Sequence, residues 1–214
     1  MLSQGMGRQA YRKNRNIILA SASKRRKKIL KQAGIKFKAI KSNLNEDLLI
    51  KKIKKSSPDK LVKILSLAKA VSVLRACHGK LYEDKIIAAF DTIIICKNKI
   101  IGKPKNKKDA LKTLLFLSNK EHKVYTGMTI INIRRSLRPQ APTPIITTDC
   151  EITKVKMKKI SRQEAVNYIK TGEPMDKAGA YAIQGKGRKF IKSICGDYLN
   201  VVGLPLKRFL LRIS

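Results

Sequence analysis

With 214 residues, 43% of them hydrophobic, the chain is long and apolar enough to bury a substantial core, which argues against disorder. Its longest apolar run, Ile86 to Cys96, is broken by Asp91 and is far too short to cross a bilayer. The formal net charge of +35 invites a nucleic-acid or anionic-membrane partner. The lysines are nevertheless spread along the whole length, without an arginine-rich arm, zinc-finger spacing or aromatic RNA-binding signature, so scatter is favoured over a nucleic-acid patch.

The first sixteen residues are basic and lack an apolar core, so they do not read as a secretory signal. A transit peptide stays open there because acids are absent, but a disordered extension over 1–16 is the expectation, with a single domain over 17–214. Cys77, Cys96, Cys150 and Cys195 are far apart and form no CxxC pair, which suits a reducing, cytoplasmic setting. His78 and His122 are isolated, so a histidine metal site is not expected.

Ile17 to Ala20 reads as a buried strand. Ser21-Ala22-Ser23 then leads into a helix over about 24–33, with Ser23 as N-cap and Gly34 as its stop. A serine turn and a helix opening on Lys24-Arg25-Arg26 suit an anion; an ordinary capped helix with a basic face is the competing reading. Ile35 to Ile40 reads as a second strand, Asn45-Glu46-Asp47 as an acidic island, and the stretch after it as a lysine-rich connector. Over 58–77, Leu61, Ile64, Leu65, Ala68 and Val71 recur at helical spacing, with Lys69 as a solvated lysine.

Two apolar β-forming runs, 86–90 and 93–95, enclose Asp91-Thr92. A carboxylate there is costly to bury without partners, so Asp91 ligates a cation, accepts hydrogen bonds or does chemistry; a satisfied structural aspartate is the alternative. Asn98 turns a hairpin, and a helix opens at Asn106 or Lys107 and ends near Ser118. Lys123 to Ile133 reads as a strand interrupted at Thr126-Gly127, followed by a loop with three prolines over 134–144. Ile145 to Met157 carries a broken β pattern, and Ser161 with Glu164 forms a capping box for a helix that Gly172 ends. The glycine-rich stretch from Gly172 to Gly187 reads either as a ligand-contacting loop or as a long surface loop. Phe190 to Ile194 is a short strand, Gly196-Asp197-Tyr198 a turn, and Leu204 onward a closing helix. Strands and helices alternate without strict βαβ regularity, so the fold class is α/β with a mixed sheet.

Three segments taken together resemble the Maf family of nucleotide pyrophosphatases. The first is Leu19-Ala20-Ser21-Ala22-Ser23-Lys24-Arg25-Arg26-Lys27-Lys28-Ile29-Leu30; the second runs from Ala88-Ala89-Phe90-Asp91-Thr92 through Gly102-Lys103-Pro104 to His122-Lys123-Val124-Tyr125-Thr126-Gly127. The third joins Gly172-Glu173-Pro174-Met175-Asp176-Lys177-Ala178-Gly179-Ala180-Tyr181 to Gly196-Asp197-Tyr198-Leu199-Asn200-Val201-Val202-Gly203-Leu204-Pro205. Order and spacing hold from about Ile17 to the C-terminus.

The resemblance implies an elongated, twisted mixed sheet carrying two lobes around a cleft, often as a homodimer. It implies hydrolysis of nucleoside triphosphates to monophosphate and diphosphate, and Tyr181-Ala182-Ile183-Gln184-Gly185 looks like the branch acting on dTTP and UTP. By the same resemblance Asp91 is the general base, and Ser21 and Arg25 lie in the phosphate-binding motif. Glu46 sits with Asp91 at a divalent metal, Mg²⁺ or Mn²⁺. Lys69, Lys103 and Lys177 line the phosphate path, while Arg26, Thr92 and Gln184 bear on base choice. Asp176 is a secondary acid, able to support the metal or hold a lysine. Two departures stand out: Lys24 replaces a proline at the helix start, and Phe90 replaces a small residue before Asp91. The rival readings are a basic nucleic-acid-binding protein and a non-catalytic regulator of cell division, a role also associated with this family.

Overall fold

A computed structural model of the chain describes residues 16–53, 56–77, 85–133 and 144–213. The basic extension over 1–15, His78 and most of the proline-bearing loop lie outside these. The elements run β1 (Asn16–Leu19), α1 (Lys24–Gln32), β2 (Phe37–Ala39), α2 (Glu46–Ile53), α3 (Pro58–Ala76), β3 (Lys85–Cys96) and β4 (Lys99–Ile101). They continue with α4 (Lys107–Leu117), β5 (Glu121–Ile133), β6 (Ile145–Met157), α5 (Arg162–Lys170), β7 (Ile191–Cys195), α6 (Tyr198–Val202) and α7 (Leu206–Ile213). This is the expected α/β architecture, a seven-stranded mixed sheet in the order β2-β1-β3-β5-β6-β7, with β4 paired to β3.

The sheet is covered on both faces. Because side chains alternate along a strand, Ile86, Ala88, Phe90 and Ile94 of β3 face a large core with Leu114, Tyr168 and Phe209. Ile87, Ala89 and Ile93 face the other way, into smaller clusters with residues of α3. Phe90 is wholly buried and packs edge-on against Phe209, ring centroids 5.5 Å apart. It therefore lies on the opposite face from Asp91, in the core, and does not line the cleft described below.

Local signals explain most element ends. Ser23 caps α1 with its hydroxyl accepting the Arg26 amide, Asn106 caps α4, and Ser161 with Glu164 completes the capping box of α5. The hairpin between β3 and β4 turns on Lys97 and Asn98, both with left-handed φ (48° and 59°).

Four expectations are corrected. The stretch after the acidic island is not simply a connector: Asn45 accepts the Leu48 amide and starts α2, which runs from Glu46 to Ile53. On α3 the buried stripe is Leu61, Val62, Leu65, Ser66, Lys69, Ala70 and Val73, with Ile64, Ala68 and Val71 only half-buried. Lys69 is thus buried rather than solvated, because its ammonium finds carboxylates. Nor is β5 interrupted at Thr126-Gly127; it runs unbroken and pairs with β3 and β6 on either side. Finally, the glycine-rich stretch is no open loop but three short 3₁₀ turns, Glu173–Asp176, Ala178–Ala180 and Lys186–Phe190.

Gly127 has its own reason for being glycine. A Cβ there would sit 2.2 Å from the Val62 carbonyl oxygen, so its absence lets the α3 backbone rest directly on β5. Gly127 is also the ladder partner of Asp91. The same close approach therefore fixes α3 at the height from which Lys69 reaches Asp91.

Candidate active site

The sheet has a gap at its centre. On one edge of β3, β1 pairs with residues 85–88 and β4 takes up the ladder again at 94–96. Neither strand covers Ala89–Ile93, while β5 pairs with the opposite edge throughout. A cleft of about 610 Å³ opens at this gap, lined by Ser21, Arg25, Arg26, Glu46, Lys69, Asp91, Thr92, Lys103, Lys177 and Gln184 among others. Thus all ten residues singled out in the sequence lie around one cavity. The gap also explains how Asp91 and Thr92, which point to opposite faces of the sheet, both reach it.

On the α3 side, Lys69 Nζ contacts Asp91 Oδ1 and lies 3.1 Å from Glu46 Oε2. The Lys69 and Asp91 side chains are only 10% and 8% exposed, so each needs the other's charge to be tolerable there. Two carboxylates converging on one cationic point make an oxygen donor set that fits a hard divalent ion also held by substrate phosphates and water. Among the described residues no group of three or more His, Cys, Asp or Glu side chains converges, so a metal held by protein ligands alone has no such cluster to occupy.

On the other face, Arg26 ties three chain segments together. Its Nε donates to the Gly203 carbonyl at 2.7 Å, and its two terminal nitrogens donate to Ser21 Oγ and Thr92 Oγ1, each at 3.2 Å. The guanidinium lies over the Phe90 ring, 5.9 Å from its centroid. Burial lowers the Arg26 pKa to about 10, partly offset by the Asp91 charge, so it stays cationic at neutral pH. Behind it, Thr92 Oγ1 lies 3.0 Å from Thr126 Oγ1, which donates to the Asn200 carbonyl. The wholly buried Asn200 side chain donates to Val124 O and Thr153 Oγ1.

The start of α1 adds Ser23, Lys24 and Arg25 to the lining, where the positive helix end faces the cleft. Lys24, in place of proline, therefore adds positive charge at the cavity. Lys177 contacts Asp176. Burial pushes the Asp176 carboxyl up, but the hydrogen bond and charge of Lys177, with the Arg25 charge, hold it below its usual value. His122, buried beneath the glycine-rich segment, lies with Nε2 2.8 Å from the Tyr181 hydroxyl. Sequence reasoning missed Lys41 and Ser42 of the lining. They follow β2, and a ligand crevice outside the carboxyl ends of parallel strands is the rule that finds them.

Residues 16–213 match the family model described as Maf-like protein. The chain belongs to the Maf family. Among curated relatives, a dTTP/UTP pyrophosphatase of Thermosipho melanesiensis is 44% identical over 193 residues, covering 90% of this chain and 93% of the relative. A protein of the same name from Clostridium botulinum (strain Kyoto / Type A2) is 42% identical over 194 residues, 91% of this chain and 93% of its own. Another, from Alkaliphilus metalliredigens, is 44% identical over 190 residues, with 89% and 90% covered. The Maf match spans every segment that builds the cleft. Among the described residues, no helix is long and apolar enough to cross a membrane.

Proposed function

We propose that the protein is a nucleoside triphosphate pyrophosphatase that hydrolyses dTTP and UTP to the monophosphate and diphosphate. The observation that carries this reading is one cleft in which Asp91 and Glu46 stand among Arg25, Lys69, Lys103 and Lys177. A polyanionic substrate needs that surplus of cationic groups, and the reaction needs a carboxylate beside them. In this reading Asp91 accepts a proton from, or orients, a water whose oxygen bonds to the α-phosphorus, while the α–β bridging oxygen departs with diphosphate. Ser21 and Arg25 hold phosphate oxygens at the start of α1, and Lys69, Lys103 and Lys177 balance the charge that develops on the phosphates. Glu46 and Asp91 would hold Mg²⁺ or Mn²⁺, which supplies further neutralisation of the phosphate oxygens when bound. Gln184 offers a donor and an acceptor on one amide to a pyrimidine edge. Arg26 and Thr92 line the same cleft and bear with Gln184 on base choice, and the reading extends to modified pyrimidine nucleotides.

We also propose a homodimer, on the family alone, and a cytoplasmic location, which the four free cysteines support. The deciding assay incubates the purified protein with each nucleoside triphosphate and Mg²⁺ or Mn²⁺ and measures diphosphate release. In ¹⁸O-labelled water the label is expected in the monophosphate. Release from dTTP and UTP ahead of the purine nucleotides supports the reading; no release from any of them, or label in the diphosphate, overturns it.

A further inference from the structure

Gln184 is exposed, yet Ala182 and Ile183 before it and Gly187 after it are buried, and the chain is pinned on both sides. On the near side, the Ala182 amide donates to the hydroxyl of Tyr168, a buried residue of α5, at 3.0 Å. On the far side, the two oxygens of Glu173 accept the amides of Lys186 and Gly187, each at 3.1 Å. Gly185 leaves room for that carboxylate: a Cβ there would fall 1.7 Å from Glu173 Oε1. Gly187 packs against the first pin while it donates to the second: a Cβ there would fall 2.7 Å from the Tyr168 hydroxyl and 2.8 Å from the Ala182 amide nitrogen, so the two pins adjoin. Glu173 itself is not among the residues lining the cleft.

We propose that Glu173 is a positioning residue for base selection, fixing the 182–187 turn so that the Gln184 amide meets the nucleobase in one orientation. This rests on the reading of Gln184 as the group that pairs with the base. A carboxylate accepting two adjacent backbone amides holds a turn more firmly than any single bond, since charged acceptors roughly double the strength of each. Without it, Gln184 keeps its chemistry and loses its aim. Ser21, Arg25, Lys69 and Lys103 stand on other segments and Lys177 lies outside the 182–187 turn, so the cost falls on substrate choice rather than on turnover.

The test compares Glu173→Ala, Glu173→Gln and Gln184→Ala with the parent, reading kcat and KM separately for dTTP and GTP. The expected result for Glu173→Ala is a dTTP kcat within about twofold of the parent and a KM about tenfold higher. The preference for dTTP over GTP shrinks by about tenfold, the size of one lost base-pairing interaction. Glu173→Gln, nearly isosteric and keeping one acceptor, falls between, which separates positioning from misfolding. If Glu173→Ala and Glu173→Gln lower kcat on both nucleotides equally with the preference intact, or change nothing while Gln184→Ala flattens the preference, the inference is overturned and the base-reading role of Gln184 stands. If Gln184→Ala leaves the preference unchanged, that role falls and the inference falls with it.

Discussion

Lys69 Nζ lies 3.1 Å from Glu46 Oε2, and through this contact the first residue of α2 is held against the middle of α3. The same ammonium also contacts Asp91, so one lysine stands where two carboxylates would share a cation. Lys69→Met removes that charge and leaves the carboxylates facing each other. The expected loss is about 3 kcal/mol of stability, the usual size for breaking a buried pair. Added Mg²⁺ or Mn²⁺ should raise the melting temperature of this variant more than that of the parent, because the ammonium no longer competes for the same oxygens. Thermal melts with and without metal check both effects.

Arg26 spends its guanidinium on Gly203, Ser21 and Thr92, one from each of the three segments that build the cleft. Arg26→Met should lower stability by about 2 kcal/mol and kcat/KM for dTTP by at least about tenfold. Arg26→Lys should restore only part of this, since an ammonium cannot reproduce the three-way fork. Denaturant unfolding and steady-state kinetics on the same preparations measure the two effects.

His122 supplies a pH dependence of folding. Burial pushes its pKa down to about 4 from an ordinary 6.5, so the folded state resists its protonation while the unfolded chain accepts it. Between these values the unfolded state binds more protons, and stability therefore falls as the pH drops from about 6.5 toward 4. The contribution amounts to about 3 kcal/mol, fully present above pH 6.5 and lost near pH 4. His122→Gln should flatten the stability profile across that window, as denaturant midpoints at pH 7, 6, 5 and 4 would record.

Much of this architecture was legible in the residues. The serine caps, the capping box at Ser161 and the apolar runs around Asp91 carry local signals that survive into the fold. What was not legible depends on contacts distant in sequence. Lys69 looks like any surface lysine of a helix until α3 is laid on the sheet, and Gly127 looks like a strand breaker until the Val62 backbone is placed above it. α2 escaped because Asn45 reads as part of an acidic island and the lysines after it as a connector, while Leu49, Ile50 and Ile53 show their common face only once packed against α3. At the site, the ten candidate residues were gathered by family resemblance. That Asp91 and Thr92 share one cavity from opposite faces follows only from where β1 stops and β4 starts. The burial of Phe90 against Phe209 was likewise beyond sequence reasoning, since it needs α7 packed across the sheet.

The central claim is that Asp91, in the gap of the sheet, carries the chemistry while the cationic residues around it hold the triphosphate. Asp91→Asn keeps the size of the side chain and removes its capacity to take a proton. The measurement is diphosphate release from dTTP by parent and Asp91→Asn, alongside dTTP binding by calorimetry. A fall in kcat of at least about a hundredfold with nucleotide still bound is the predicted result. Hydrolysis of dTTP by the variant at the parent rate would contradict it.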